Sequence, residues 1–395
     1  MARASILTLD PRRGGVPALA RIVYGLLVAA GHTPALVYRA TEDVPTGSTG
    51  RALRFFLATP PVRRLVNEGM QSIAITAYPV PPRYQYHLPR LARAAVIAPI
   101  AAIVAGSSHV GLPRALARRP YLLWVATVYA DELHGRVQAG DRWADGVLGS
   151  RDWPILEAQE RLVYERATVI LAASPHTRER IAARWPTVSH KLRTVVYPVD
   201  TDRYRPAGGP ADPPYLLLTA RIRDPRKNVD LLLRAFGRVR SEHARLRLVI
   251  AGDEPTPDTR QVAARLGLGE SVTFPGYVPA DDLVALYQRA TLFVFPSLQE
   301  GLGISAEEAM ACGLPVVSTR SGGPEGLVQD RVTGLLVPNN DEAALAQAID
   351  DLLRSPERRR AMGSAGRERA VQLFARTRVE AALRTAFKDT YGDAF

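Results

Sequence analysis

The sequence predicts an α/β protein of two domains, each built around a layered sheet of mostly parallel strands. Its 395 residues are more than one hydrophobic core usually supports. Short apolar runs alternate with helical patterns almost throughout the chain, and this alternation is typical of parallel strands joined by helices. A segment rich in Pro and Gly, RPAGGPADPP at 205–214, interrupts the alternation and is typical of an interdomain linker.

The first domain, predicted over 1–205, begins with a strand in ASILTLD, then a Gly-rich turn and a helix. Four further segments are predicted as strands: TPALVYRA, QSIAITAYPV, AAIVAGSS and RPYLLWVATVYADE. The segment WPILEAQERLVYERA has the apolar spacing of a helix. A strand, a loop and a helix are predicted in TVILAASPHTRERIAARW, and LRTVVYPVD closes this half of the chain.

The second domain, predicted over 206–379, resumes the same alternation. Its predicted strands are YLLLTA, LRLVIAG, VTFPG, LFVFPS, PVVST and GLLVP, and a long amphipathic pattern, ERAVQLFARTRVEAALRTAFKDTYG, follows them. Open parallel sheets bind ligands at the carboxyl ends of their strands. Two such domains facing each other therefore predict a ligand in the cleft between them.

Composition indicates an ordinary globular protein. Hydrophobic residues make up 47% of the chain and charged residues 23%, which excludes a disordered chain. No apolar run is long enough to span a membrane, and MARASILTLD lacks the features of a signal peptide. Cys312 is the single cysteine, so no internal disulfide forms, and we expect a reducing, cytoplasmic location.

The net charge of +12 admits three kinds of partner: nucleic acid, an anionic membrane surface or a phosphorylated small molecule. The basic residues are scattered, and no zinc-finger spacing or RNA-binding signature is present, so nucleic acid is not expected. The segment TGRALRFFLATPPVRRLV at 49–66 mixes Arg with Phe and Leu. It is interpreted either as a helix lying on a membrane or as a surface helix packed on its own domain.

Two glutamates, Glu300 and Glu308, stand with seven residues between them in PSLQEGLGISAEEAMACGLPVVST. Ser305 is predicted to begin a helix, and S-x-x-E from Ser305 to Glu308 matches a capping box, which is one interpretation of Glu308. The other is a ligand site. A helix N-terminus attracts phosphate, glycines allow close approach of the backbone, and carboxylates accept hydrogen bonds from sugar hydroxyls. A nucleotide-sugar has all of these groups.

Such a ligand needs cations for its diphosphate. Arg221 directly follows the strand YLLLTA, and Lys227 precedes the next helix, so both are expected at the ligand edge of the sheet. For Arg223 and Arg226 a solvated turn is the expected environment.

Several segments of the chain resemble segments of family 4 glycosyltransferases of the GT-B fold, the "group 1" type, and they occur in the same order. The matching segments are RGGVPALARIVYGLLVAAGH, ILAASPHTRERI, VVYPVDTDRYRP, ARIRDPRKN, LVIAGDEP, VTFPGYV and FVFPSLQEGLGISAEEAMACGLPVVSTRSGGPEGLVQDRVTGLLV. The resemblance covers essentially the whole chain and is most specific in the second half. It implies two Rossmann-like domains facing across a cleft, with a last helix, about 380–395, returning to the first domain.

The resemblance also implies residue roles. Glu300 resembles the acid that holds hydroxyls of the donor sugar, and Glu308 the acid that binds the ribose. Arg221 and Lys227 resemble the pair that neutralises the leaving diphosphate. Gly15 resembles a loop glycine packed beside that diphosphate, and the remaining donor-site positions are Gly301, Leu302 and Gly303.

The chain departs from the family pattern at four places. Leu302 and Ser305 stand where Phe and Pro are usual, so the donor sugar stays open. Tyr129 stands where a His is frequent, and His109 is the other candidate for catalytic work on the acceptor side. Arg226 occupies the usual spacing from Arg221, but we favour Lys227 because DPRKN fits a loop one residue longer.

The predicted function is therefore transfer of a hexosyl group from a nucleotide-diphosphate sugar to a lipid carrier, glycan or small molecule. The resemblance implies retention of anomeric configuration and no metal or other cofactor. The alternative is a catalytically silent module that binds nucleotide-sugars. A nicotinamide-linked dehydrogenase is disfavoured because the first turn lacks G-x-G-x-x-G. Many members of the family that the chain resembles act on lipid-linked acceptors. We therefore also expect contact with an anionic membrane, at the inner face of the cell membrane.

Overall fold

A computed structural model describes residues 1–9, 15–40, 62–67, 69–76, 96–106 and 108–395. The chain divides into two compact units. Unit 1 contains Met1–Leu133, Gly146–Val195 and Glu380–Phe395, and unit 2 contains His134–Asp145 and Val196–Val379. The last residues of the chain thus belong to the unit that its first residues form.

The sheet of unit 1 has the strand order β3-β4-β2-β1-β5-β6-β7-β8. Neighbouring strands are parallel, except that β3 runs antiparallel to β4. The strands are β1 Arg3–Thr8, β2 Thr33–Ala40, β3 Val62–Asn67, β4 Met70–Thr76, β5 Ile100–Ala105, β6 Leu122–Val125, β7 Val169–Ala172 and β8 Leu192–Thr194. Because β5, β6 and β7 are buried along their whole length, they appear in the sequence as continuous apolar runs and not as alternating ones.

Six helices follow these strands within the described part of the chain up to Arg184. They are α1 Gly15–Ala29, α2 Leu112–Leu116, α3 Tyr129–Gln138, α4 Arg142–Leu148, α5 Trp153–Arg166 and α6 Pro175–Arg184. Helix α1 packs on β1, β2 and β5. Ser174 caps α6 by accepting the Thr177 N–H at 3.0 Å, which is the usual role of a serine at this position.

Two predictions for unit 1 are corrected. The expected strand RPYLLWVATVYADE is strand only over Leu122–Val125, and Tyr129 already begins α3. The helix expected over 49–66 is wrong for 62–66, which lie in β3 and pair with β4; residues 49–61 lie outside the described residues. The Val-rich sequence VRRLV favours a strand there because its side chains suit a pleated surface.

Unit 2 has a parallel six-stranded sheet in the order β11-β10-β9-β12-β13-β14. Its strands are β9 Tyr215–Ala220, β10 Arg247–Gly252, β11 Val272–Gly276, β12 Leu292–Phe295, β13 Val316–Thr319 and β14 Gly334–Val337. The chain builds outward from β9 to β11, then returns to place β12 on the other side of β9. This reversal is the topological switch point of Rossmann-like sheets, where the loops after the two adjacent strands separate and leave a crevice.

The helices of unit 2 are α7 Val229–Arg240, α8 Pro257–Arg265, α9 Ala280–Arg289, α10 Ile304–Ala311, α11 Gly323–Leu327, α12 Glu342–Arg354 and α13 Pro356–Phe374. The amphipathic tail of the sequence is two helices, because the chain is extended at Ala375 before α14, Arg376–Tyr391. At this break the Val199 N–H donates to the Phe374 carbonyl at 2.8 Å.

One buried guanidinium organises the edge of unit 1 where β5 begins. Arg114 on α2 is fully buried and donates to the carbonyl oxygens of Ala98 at 2.7 Å, Pro99 at 3.1 Å and Pro120 at 3.0 Å. The Tyr391 hydroxyl of α14 accepts the Ala101 N–H at 2.7 Å. These bonds hold the start of β5, the approach to β6 and the last helix together.

We predict that Arg114→Lys lowers the stability of unit 1 by about 2–4 kcal/mol. An ammonium group cannot match the planar array of donors, so buried carbonyls lose their partners. Differential scanning calorimetry measures the loss as a lower transition midpoint. Arg119→Lys, at an exposed position on the same segment, is the control, and an equal midpoint in both variants would contradict the prediction.

Candidate functional site

The loop after β9 is anchored to the end of the neighbouring strand β10. The Asp253 carboxylate accepts the backbone N–H groups of Ile222 and Arg223. This contact requires the two strand ends to lie close together. A Cβ atom at Gly252, where φ is +156°, would stand 1.8 Å from the Ala220 carbonyl oxygen, so only glycine fits. The backbone directly after Arg221 is thereby fixed.

A buried carboxylate lies at the centre of this loop. The Asp224 carboxylate accepts two hydrogen bonds from the Arg226 guanidinium, at 2.6 and 3.0 Å, and one from the Arg221 guanidinium, at 3.0 Å. Burial alone would raise the pKa of Asp224, but the hydrogen bonds and charge of Arg226, with the charges of Arg221 and Lys227, hold this pKa well below its usual value. Asp224 is therefore ionised at any physiological pH.

The solvated turn expected for Arg226 is wrong, because only 8% of this residue is exposed. Its guanidinium also donates to the Gln299 side-chain oxygen at 3.0 Å, and its carbonyl accepts the Leu298 N–H at 2.7 Å. Arg226 therefore joins the loop after β9 to the loop after β12. Arg223 is exposed, as expected.

Lys227 and Glu300 form an ion pair between the same two loops. The side chains are 15% and 12% exposed, and Ser297 donates a second hydrogen bond to Glu300 Oε1 at 2.8 Å. The Lys227 ammonium also lies 5.5 Å from the ring centre of Phe295. Because this pair is largely removed from water, its attraction is screened less than that of a surface pair.

The backbone of Glu300 is fixed by the loop that follows β13. Its N–H donates to the Ser321 carbonyl, and its carbonyl accepts the Gly323 N–H, both at 2.8 Å. A Cβ atom at Gly323 would lie 2.4 Å from the Leu302 carbonyl oxygen, so a glycine is required there. The loop at 321–323 thus orients Glu300. The sequence analysis did not predict this role for the loop.

Helix α10 begins at Ile304, one residue earlier than predicted. Its N-cap is Gly303, whose φ of +107° suits glycine, and no side chain caps this end. The capping box predicted from Ser305 to Glu308 is therefore wrong. Leu302 is buried, and Gly301 lies between it and Glu300, so the backbone of 301–303 leads into the first turn of α10.

Glu308 lies on α10 within reach of tyrosine hydroxyl groups. Tyr287 on α9 donates to its Oε2 at 2.8 Å, and Tyr204 hydrogen-bonds the same carboxylate. Burial raises the pKa of Glu308 to about 7, although these hydrogen bonds and the charge of Arg203 act in the opposite direction. Glu308 thus titrates near neutral pH.

In unit 1, Tyr129 and His109 lie together. Their rings meet edge-on with centroids 4.9 Å apart, and the Tyr129 N–H donates to Glu160 Oε1 at 3.0 Å. His109 is fully buried, its Nε2 lies 2.8 Å from the Leu156 carbonyl, and burial lowers its pKa to about 4. His109 is therefore neutral and supports Tyr129 from within the core.

Gly15 is the first residue of α1, and the residues just before it, 10–14, are outside the described ranges. Across the described ranges, no three or more His, Cys, Asp or Glu side chains are grouped to hold a metal ion, and metal independence stays a prediction. Among the described helices, none is long and apolar enough to cross a membrane.

Sequence reasoning gave no role in the site to several residues that the structure places in these loops or against Glu308: Asp224, Arg226, Asp253, Ser297, Tyr204 and Tyr287. For Asp253 a signal was present, because it directly follows the strand LRLVIAG at the ligand edge of the sheet. The tyrosines gave no such signal, since each looks like an ordinary apolar position of its own segment.

Two Rossmann-like units in one chain define the GT-B fold, and this chain has it. Sucrose-phosphate synthase from Thermosynechococcus elongatus superposes with a TM-score of 0.75 over 98% of both chains, at 22% sequence identity. Residues 200–369 match the family model "Glycosyl transferases group 1". This match covers less than half of the chain.

Two similar relatives carry assigned names. The chain is 35% identical over 236 residues to GDP-mannose-dependent alpha-(1-6)-phosphatidylinositol monomannoside mannosyltransferase of Mycolicibacterium smegmatis, covering 55% of this chain and 61% of the relative. It is 31% identical over 263 residues to D-inositol 3-phosphate glycosyltransferase of Saccharomonospora viridis, covering 60% of each. The chain thus spans about three fifths of the length of these relatives.

We predict that Asp224→Ala destabilises unit 2 by about 3–5 kcal/mol, because it leaves the Arg226 guanidinium buried without its counter-ion. Replacing both partners in Asp224→Leu/Arg226→Met recovers most of this loss, since no buried charge remains. Thermal unfolding followed by calorimetry measures both changes. A double variant that is no more stable than Asp224→Ala would contradict this explanation.

Proposed function

We propose that the protein is a glycosyltransferase that moves a hexosyl group from a nucleotide-diphosphate sugar to an acceptor. One observation carries the proposal. At the carboxyl ends of β9 and β12, Lys227 pairs with Glu300, and the exposed Arg221 guanidinium, in the same loop as Lys227, binds Asp224. These loops lie within the stretch that matches the glycosyl transferase family model. Cations and a carboxylate at one crevice suit a ligand that has both phosphates and hydroxyl groups.

The cations would act on the leaving group. Cleavage of the anomeric bond develops positive charge on the sugar and negative charge on the departing diphosphate. Arg221, 64% exposed at its side chain, and Lys227 are placed to stabilise that anion. Because Asp224 and Glu300 already fix both cations by hydrogen bonds, little reorganisation accompanies the reaction. We propose that no metal ion is needed.

The two glutamates would divide the rest of the donor between them. Glu300 accepts hydrogen bonds from hydroxyls of the transferred sugar, and Glu308 from hydroxyls of the ribose. The backbone of Gly301, Leu302 and Gly303 leads into the N-terminus of α10, whose partial positive charge favours a phosphate group nearby. These assignments make positioning the main contribution of the protein to the rate.

We propose that the anomeric configuration is retained through attack on the same face that the diphosphate leaves. The leaving phosphate oxygen then takes the proton of the acceptor hydroxyl, so no protein nucleophile is required. Tyr129, at the first turn of α3, would contact the acceptor, and His109 would act through Tyr129 because its own ring is buried.

The relatives suggest where to look for substrates. One relative is named as GDP-mannose-dependent and as acting on a phosphatidylinositol mannoside, so GDP-mannose and inositol-containing acceptors are the first candidates. A lipid-linked acceptor would bring the protein to the inner face of the cell membrane, where its net charge of +12 favours anionic lipid. Flotation with phosphatidylinositol vesicles and with neutral vesicles tests this contact, and equal recovery with both would argue against it.

The activity is tested by release of nucleoside diphosphate from a panel of nucleotide-sugars, with and without candidate acceptors. Binding of a nucleotide-sugar without release under any condition would favour the silent binding module over the enzyme. The absence of both binding and release across the panel would overturn the proposal.

We predict that Glu300→Ala lowers turnover by at least about 100-fold while the affinity for nucleoside diphosphate changes little. The lost carboxylate holds the sugar, whereas the diphosphate is held by Arg221, which Asp224 still fixes, and by Lys227, which loses its partner but keeps its charge. Steady-state kinetics and calorimetric binding of the nucleotide measure the two effects separately. Glu254→Ala, which removes an exposed acid paired with Arg260, is the control, and full activity of Glu300→Ala would refute the assigned role.

A further inference from the structure

The Glu308 carboxylate is held by a chain of hydroxyl groups from separate elements of unit 2. The Tyr287 hydroxyl, on α9, donates to Glu308 at 2.8 Å, and the Thr219 hydroxyl, near the end of β9, lies 2.6 Å from the Tyr287 hydroxyl. Since the Tyr287 proton is used by Glu308, Thr219 is the donor in the second bond. Consecutive hydrogen bonds of this kind strengthen one another.

A second tyrosine reaches the same carboxylate from the segment before β9. The Tyr204 hydroxyl hydrogen-bonds Glu308, and its ring packs edge-on against Tyr287 with centroids 5.9 Å apart. Arg367 on α13 fixes this segment by donating to the carbonyl oxygens of Thr201 and Tyr204, each at 2.9 Å. Both tyrosines are therefore held in place independently of any ligand.

We propose that Tyr287 and Tyr204 are positioning residues for the donor nucleotide, whose hydroxyl groups hold the Glu308 carboxylate in the orientation that binds the ribose. The inference rests on the proposed function, because that function assigns the ribose to Glu308. It goes beyond that function by naming the groups that orient Glu308 to accept hydrogen bonds from the ribose hydroxyls.

Ionisation of Glu308 is the property that these hydroxyls control. Burial raises its pKa to about 7, and the tyrosine hydrogen bonds keep the pKa from rising further. Other charged or titratable groups lie near Glu308. The charge of Arg203 favours the ionised form of Glu308. Burial and the charge of Glu308 raise the pKa values of Glu307 and Cys312, and Arg367 acts on Cys312 in the opposite direction. The tyrosines and Arg203 favour the charged form.

The direction of the pH dependence follows. Ribose hydroxyls bind an ionised carboxylate more strongly than a neutral carboxyl group, so donor affinity is present above the pKa of Glu308 and is lost as the pH falls through about 7. Removing a tyrosine hydroxyl removes a hydrogen bond that favours ionisation. The pH at which affinity is lost therefore moves upward.

The test compares Tyr287→Phe and Tyr204→Phe with the parent chain by calorimetric titration of GDP-mannose between pH 6 and 9. Each phosphate of this probe has one ester and one anhydride bond, so neither phosphate takes up a proton in this range. We expect Tyr287→Phe to raise the midpoint of the pH profile by about one unit, as for loss of one hydrogen bond to a charged group, which weakens binding about fivefold at pH 7. Tyr204→Phe shifts the profile in the same direction.

Tyr215→Phe is the matched control. The Tyr215 hydroxyl donates to the Leu286 carbonyl at 2.6 Å and not to Glu308, so its loss removes a tyrosine hydrogen bond in the same unit without touching the carboxylate. We expect an unchanged pH profile. A Tyr287→Phe profile that coincides with that of the parent, or a Tyr215→Phe shift as large as that of Tyr287→Phe, would overturn the inference.

A second measurement isolates the ribose. The ratio of affinities for GDP and for its 2′,3′-dideoxy analogue reports the contribution of the ribose hydroxyls, and we expect this ratio to fall several-fold in Tyr287→Phe. An unchanged ratio would overturn the inference while leaving the proposed function intact. A parent chain that binds no member of the nucleotide-sugar panel would overturn the proposed function, and the inference with it.

Discussion

The reversal of strand order between β9 and β12 is the constraint on which the rest of unit 2 depends. It places the loop after β9 beside the loop after β12, although these loops are far apart in the sequence. Lys227 and Glu300, for example, are 73 positions apart. Only because these loops are adjacent can Lys227 pair with Glu300 and Arg226 reach Gln299. The crevice at the switch point is therefore lined with charge that the fold itself brings together.

Most of the charges in these loops are balanced in ion pairs, and all of the paired groups except the exposed Arg221 are largely removed from water. Asp224 lies between Arg226 and Arg221, and Glu300 lies against Lys227. A buried charge without a partner is strongly destabilising, whereas a well hydrogen-bonded pair is tolerated. This arrangement keeps the cations oriented before any ligand arrives, which is the condition for electrostatic stabilisation of a leaving anion without reorganisation.

The outcome for particular residues shows how sequence and structure differ in what they reveal. Arg221 and Lys227 were placed at the ligand edge by their positions at a strand end and a helix start, and both lie in the loop after β9. Arg226 looked like part of a solvated turn, but it is buried because Asp224, two residues earlier, folds back onto it. A spacing of two residues does not predict this burial, because many acid–arginine pairs with the same spacing stay exposed to water.

Local patterns also competed with tertiary requirements at helix ends. The S-x-x-E pattern at Ser305 has the spacing of a capping box, yet α10 begins after Gly303 in a left-handed conformation. There Glu308 hydrogen-bonds Tyr287 on α9 and so faces away from a capping position. A partner on another helix, which no local pattern reports, decided the orientation of this side chain.

The sequence alone determined the alternation of strands and helices, the two-domain organisation and the acids and cations to examine, because apolar periodicity and residue types at strand ends are local properties of the chain. Only the tertiary structure decided which of these groups meet. Ion pairs and hydroxyl contacts such as Lys227–Glu300 and Tyr287–Glu308 depend on strand order and on helix packing, and both are set by burial of the whole core rather than by any short segment.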